Sequence, residues 1–345
     1  MRFLTFLPPG DSAPALGLRV PSGSADWVLS LSHAVRAGAL GLLASGQDEQ
    51  SLLRALAPAA AGDLALFLQA GETAMLAARL LERNARLLLE DGESVAREAQ
   101  GLPCLFPAAQ IRYLPAVHRP GKVLCIGLNF PSHIEEARRA GQNFPPITEP
   151  LGFGKTRNAL AGHQDAVLFP VHGTKLDYEV ELAFVIGKHC RDVKAQDFSA
   201  HVAGYSTLID FSLRDLLFAS GGNPFLGKNF DGFSPLGPSV MTLDEAGDTS
   251  DWHLSLSVNG VMRQHEALGN ALFDCADILA YWSARYSLEP GDVITTGTPA
   301  GVGIFSSDPE RDLLRTGDEV VAQIGSLEPL AVTITEPGAV SRSLF

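Results

Sequence analysis

The amino-acid sequence predicts an α+β protein that is mainly β, with a small amino-terminal domain over residues 1–118 carrying Ala/Leu-rich helices and a larger domain over 119–345. Three observations lead there. Composition changes near residue 120, where an Ala- and Leu-rich stretch (31–100) punctuated by Gly38, Gly41, Gly46, Gly62 and Gly71 gives way to short β-type runs. Those runs close on turn residues instead of continuing at helical period. The whole chain of 345 residues, 46% hydrophobic and 19% charged, has the content of a globular protein with a sizeable core.

In chain order, Met1 to Leu7 reads as an apolar strand ended by Pro8-Pro9-Gly10, with no h-region or cleavage site behind it, so a cytoplasmic protein is expected. From Met75 to Leu89 apolar residues recur at helical spacing while Arg79, Glu82, Arg83 and Arg86 take the wet side. Pro103, Pro107, Pro115 and Pro120 mark an expected surface linker. Strands are then predicted at Val123–Ile126, Val180–Ile186, Leu254–Val258, Val293–Thr296, Val320–Ile324 and Leu330–Thr335. Asn259-Gly260 signals a type I′ hairpin, because both residues tolerate positive φ. Pro290-Gly291-Asp292 and Thr316-Gly317-Asp318 are further turns.

Composition excludes several functions. Twenty-six Lys and Arg against 39 Asp and Glu give a net charge of −13, which gains nothing from counterion release at phosphates, so no nucleic-acid partner is expected. No membrane span is expected either: the most apolar stretch, Leu64 to Leu89, is interrupted by Gln69, Glu72, Arg79, Glu82 and Arg83, short of about 20 clean residues. Cys104, Cys125, Cys190 and Cys275 form no C-x-x-C pair and are expected reduced and packed.

The chemistry concentrates in one stretch, Leu176 to Ile186. At period two, Tyr178, Val180, Leu182, Phe184 and Ile186 form one face, and Glu179, Glu181, Ala183 and Val185 the other. The two glutamates stand about 6.6 Å apart at ~3.3 Å per residue. On an exposed edge they would be gatekeepers against aggregation. Buried, they repel each other and need a cation. Asp210, after the strand-like Tyr205 to Ile209, adds a third carboxylate. Three carboxylates with no thiol specify a hard, oxygen-loving ion: Mg²⁺, Mn²⁺ or Ca²⁺. Upstream, Ser132 and Glu135 fit a capping box, which places His133 and Glu136 on one helix face. A carboxylate beside an imidazole makes a general base, although such a histidine is also common as a plain surface group.

Together these stretches resemble the fumarylacetoacetate hydrolase superfamily, from about Pro120 to about Gly303. The motifs come in the family's order: Lys122 to Asn129 with His133 and Glu136; Phe153-Gly154-Lys155 and Gly162-His163; Asp177-Tyr178-Glu179-Val180-Glu181-Leu182; Gly204-Tyr205 through Asp210, Ser212, Arg214 and Asp215; Phe225-Leu226-Gly227-Lys228 through Pro238; and Gly297-Thr298-Pro299 with Gly301-Val302. The resemblance implies a mixed β-sandwich roll or barrel-like catalytic core with a small amino-terminal α/β domain, usually in a homodimer. It implies Glu179, Glu181 and Asp210 as metal ligands, and His133 with Glu136 as a water-activating dyad assisted by Lys228. It further places Thr298, Lys155 and Arg214 at a small-molecule 2-oxo or diketo acid. The sequence departs from the family pattern at Ile209, Leu213 and Leu217, the last where many members have a glutamine that reaches substrate.

The function expected on this basis is metal-dependent hydrolysis of a C–C bond in an acylpyruvate or related β-diketo acid, in the breakdown of aromatic compounds. The same metal-held enolate also serves a 2-oxoacid decarboxylase, hydratase or isomerase, and a non-catalytic ligand-binding relative is the alternative from another class.

Overall fold

The computed structural model describes residues 1–22, 25–38, 44, 46–90 and 104–336. At its centre runs the strand Val180–Ile186, buried at every position. It pairs antiparallel with Val202–Ile209 on one side and Val293–Thr295 on the other. Beyond Val202–Ile209 the sheet continues through Ser234–Thr242, Arg2–Leu7, Ala15–Ser22 and Ala25–Ser30 to Leu105–Pro107. Beyond Val293–Thr295 it continues through Val123–Gly127 to Leu151–Lys155. Two short strands off this path complete a 12-stranded sheet, mixed because Val123–Gly127 pairs in parallel with Val293–Thr295 and Leu160–Ala161 with Ser234–Thr242.

The central strand is apolar on both faces because two different layers cover it. Val180, Leu182, Phe184 and Ile186 pack with Leu254, Leu256, Val320 and Ile324 of a second, five-stranded sheet. Ala183 and Val185 pack with Leu16, Leu18, Phe67 and Leu81 in the other core. The period-two assignment of faces therefore holds residue by residue. On the second side lie the helices Leu31–Ala37, Glu49–Leu56, Leu64–Gln69 and Glu72–Glu90. The last buries Ala74, Ala77, Ala78, Leu81, Ala85 and Leu89, a face of mostly small side chains that lets it approach closely.

The fold is thus α+β and mainly β, as the sequence predicts. Among the described residues, no helix is long and apolar enough to cross a membrane. Asn259 and Gly260 take positive φ (51° and 76°) at the hairpin between His253–Val258 and Val261–Ala267. All four cysteines are free.

One expectation is corrected. The proline-marked passage is not a surface linker in its described part: Leu105–Pro107 pairs with Ala25–Ser30, Arg112–Tyr113 pairs with Arg2–Leu7, and Ala116 and Val117 are fully buried. Proline is tolerated there because these are short edge pairings that leave few ladder donors to supply. Strands on both sides of residue 118 share one sheet, and Arg2 and Phe3 pair with Met241 and Val240.

Candidate metal centre and active site

Three carboxylates meet where the central strand begins. Glu179 precedes the strand and Glu181 lies within it; the register pairs Val180 with Ile209 and Glu181 with Leu208. Asp210 follows that neighbour strand, and its N–H donates to the Glu179 carbonyl at 2.8 Å. Ligand oxygens from the three residues lie within 4.8 Å of one another, and all three side chains are buried.

Basic residues surround the triad. Lys228 Nζ donates to Glu179 Oε2 at 2.7 Å and Asp210 Oδ2 at 2.6 Å. Arg214 donates to Glu179 Oε1 at 2.7 Å through Nη2 and to Asp177 Oδ2 at 2.8 Å through Nε. Lys155 Nζ is bonded to Asp210 Oδ1 and to the Phe233 carbonyl. Asp177, Glu179 and Asp210 are therefore matched by Arg214, Lys155 and Lys228. Glu181 is the carboxylate left over, and the partner recorded for it is the uncharged Thr295 hydroxyl.

The ionisation of the pair follows from this arrangement. Burial, then the charges of Asp210 and Glu179, push the Glu181 carboxyl up to about 8. Burial also opposes ionisation of Glu179, but Lys228 and Arg214 outweigh it and hold that group well below the usual carboxylate range. Burial likewise disfavours the charged Lys228, and Asp210 with Glu179 reverse this and raise its pKa. An all-oxygen donor set with one buried carboxylate lacking a cationic partner fits a divalent ion such as Mg²⁺ or Mn²⁺.

The histidine comes from the helix Pro131–Arg139. At i and i+3, His133 Nδ1 and Glu136 Oε1 are 2.7 Å apart, which leaves Nε2 as the free ring nitrogen. Glu136 Oε2 accepts the Gly301 N–H at 3.0 Å. The expected capping box is absent. The helix starts after Phe130 with Pro131 in its first turn, so the cap position falls too early for Ser132. Ser132 instead donates to Glu266, and Glu135 pairs with Arg139.

A cavity of about 820 Å³ opens over the centre. Glu179, Glu181, His133, Arg214, Lys228 and Thr298 line it, and Phe144, Phe153, Leu217, Phe218 and Phe305 supply apolar wall. Asp210 is fully buried behind the other two carboxylates. Lys155 is not among the lining residues; its amine is spent on Asp210 and the Phe233 carbonyl.

Two residues at the site had no role assigned from sequence. Fully buried Asp177 accepts from Arg214 and from the backbone N–H groups of Tyr178, Gly303 and Ile304. Its place two residues before Glu179 was the available signal. Gln264, also fully buried, joins the central strand to the Thr298 loop. Its strand carries no local mark of that.

Comparison with known proteins agrees with this geometry. The model of the fumarylacetoacetate (FAA) hydrolase C-terminal family matches residues 122–335. An oxaloacetate tautomerase, mitochondrial, of Homo sapiens is 40% identical over 253 residues, covering 72% of this chain and 78% of the relative. A mitochondrial oxaloacetate tautomerase of Xenopus laevis is 36% identical over 247 residues, 70% of this chain and 75% of that one. Among solved structures, a fumarylacetoacetate hydrolase from psychrophilic Exiguobacterium antarcticum superimposes with a TM-score of 0.70 at 27% identity, covering 98% of this chain and 100% of its own. The mitochondrial designation of the human and frog relatives overturns the cytoplasmic expectation. An apolar h-region reports on export alone and mitochondrial targeting uses none, so the first residues carried no information on that choice. The family match over more than half the chain, with 40% identity to the human relative over 72% of it, establishes that this chain belongs to the fumarylacetoacetate hydrolase family.

Proposed function

We propose that the chain is a metal-dependent tautomerase of a 2-oxo acid, with oxaloacetate as the first candidate substrate. The observation that carries this reading is an all-oxygen triad and a carboxylate-held histidine opening into one cavity. The identity to oxaloacetate tautomerases supports the choice over the hydrolase expected from sequence.

Glu179, Glu181 and Asp210 would hold the cation, which supplies Lewis-acid stabilisation of an enolate oxygen. His133, with Nδ1 tied to Glu136, takes the proton from C3 at Nε2. The C3–H electron pair becomes the C2–C3 double bond, the C2–O π pair moves onto oxygen, and the proton held on His133 Nε2 is passed to that oxygen. No water is consumed and no carbon–carbon bond breaks. Lys228 and Arg214 keep Glu179 ionised throughout. The apolar wall thins the water around the enolate, which strengthens these charge interactions.

The test follows the ultraviolet band of the oxaloacetate enol with purified chain and Mg²⁺. A faster approach to equilibrium, abolished by EDTA, is the expected result; a rate no greater than buffer alone refutes the reading.

C–C hydrolysis of a β-diketo acid remains a second reading, favoured by the full-length likeness to a fumarylacetoacetate hydrolase and by a dyad able to activate water. Release of a carboxylic acid and pyruvate from an acylpyruvate under the same conditions would establish it.

A further inference from the structure

Gln264 sits inside the strand Val261–Ala267, fully buried, and its amide touches both halves of the site. Its Oε1 accepts the Val180 N–H at 2.9 Å, between Glu179 and Glu181. Its Nε2 donates to Thr298 Oγ1 at 2.8 Å and to the Pro299 carbonyl at 2.9 Å. The backbone decides which end of the amide is which. A backbone N–H only donates and a carbonyl only accepts, so turning the amide round would break both contacts. The nitrogen therefore faces Thr298, and an amide nitrogen accepts no hydrogen bond. The Thr298 oxygen must accept, and its single proton must point elsewhere. Thr298 lines the cavity beside Glu179, Glu181 and Lys228.

We infer that Gln264 is a positioning residue that fixes the polarity of the Thr298 hydroxyl, so that its proton is offered to an anionic oxygen of the substrate. The inference rests on the 2-oxo acid reading of this cavity. An unconstrained hydroxyl can spend its proton on a neighbour; here Gln264 Nε2 fills one lone pair, so the proton stays free for the cavity. That proton matches an oxygen that only accepts, such as a carboxylate. The same amide ties that donor to the strand bearing two of the triad's carboxylates, so cation and hydroxyl keep one spacing.

The test is a double-mutant cycle read by calorimetric titration of pyruvate into the Mn²⁺-loaded chain, with Mn²⁺ affinity measured separately. Gln264→Met and Thr298→Val are each expected to weaken pyruvate binding about tenfold or more, the size of a lost hydrogen bond to a charge, with Mn²⁺ affinity unchanged. The double variant should bind no worse than Thr298→Val alone, because Gln264 acts through the hydroxyl. Thr298→Ser should retain wild-type affinity. Additive losses, or a loss of Mn²⁺ affinity in step with pyruvate, would overturn the inference. If Gln264→Met does not fold, Gln264→Leu takes its place under the same criteria, since it too removes the donor to Thr298 without adding a charge. A wild-type chain that binds Mn²⁺ but not pyruvate would instead defeat the 2-oxo acid reading, and this inference with it.

Discussion

His133 Nδ1 lies 2.7 Å from Glu136 Oε1, and the other oxygen of that carboxylate accepts the Gly301 backbone N–H at 3.0 Å. One carboxylate thus orients the ring and anchors the loop that carries Thr298. His133→Ala is expected to lower turnover by about 10² to 10⁴ while leaving Mn²⁺ affinity nearly unchanged, because in the proposed mechanism the histidine acts on protons and not on the cation. Steady-state kinetics and calorimetry check this. Full turnover with weakened cation binding would make His133 structural.

Glu181→Ala leaves two of the three carboxylates. Cation affinity is expected to fall by about 10- to 100-fold or more, and activity removed by EDTA should not return at the Mg²⁺ concentration that restores the wild type. Full activity of the variant after EDTA treatment would refute the assignment.

Cation binding should also release a proton. The Glu181 carboxyl, lifted to about 8 from the ordinary 4.5, keeps a proton in the cation-free fold that the unfolded chain has lost between those values. Its contribution to cation-free stability therefore falls as pH rises through that window. The cation must displace the proton, so affinity should drop about tenfold per pH unit below about 8 and level off above it. Mn²⁺ titrations at pH 6, 7 and 8 measure this, and equal affinities at the three values would contradict it.

Leu217 lines the cavity and is 8% exposed, so its helix does turn it toward the substrate space. Leu217→Gln adds an amide donor there. We expect kcat/KM for a 2-oxo acid with a distal carboxylate to rise about tenfold relative to one ending in methyl. An unchanged ratio would show that the distal end of the substrate lies elsewhere.

Asp177→Ala takes one of two carboxylate partners from the buried Arg214 and leaves the Gly303 and Ile304 N–H groups without their acceptor. Removal of one partner from a buried ion pair costs about 3–5 kcal/mol, so the urea midpoint should fall with little change in slope. A loss below about 1 kcal/mol would mean that Arg214 finds full compensation at Glu179.

What could be read in advance was whatever the chain encodes locally. The two faces of Val180–Ile186 follow from alternation, the Asn259-Gly260 hairpin from φ tolerance, and the carboxylate triad from one short stretch plus Asp210. Ser132 misled because capping depends on where the helix begins, and Pro131 moved that start by sterics that the Ser-x-x-Glu spacing does not contain. The passage before Pro120 misled because proline marks an edge strand as readily as a linker. Gln264 was beyond reach. Its partners Val180 and Thr298 lie 84 and 34 residues away in sequence, and nothing local to its strand announces them.

The pairing of Arg2 and Phe3 with Met241 and Val240 sets an order of events on the ribosome. The strand Arg2–Leu7 is flanked in the finished sheet by Ser234–Thr242, which is made more than 200 residues later. At about 5–20 residues per second, roughly 12–48 s separate the synthesis of the two strands. Through that interval one edge of the amino-terminal strands stays open to foreign pairing. A nascent chain of this design has to be sheltered until residue 241 has cleared the exit tunnel, and heterologous yield should depend more on chaperone supply than on the stability of the finished fold.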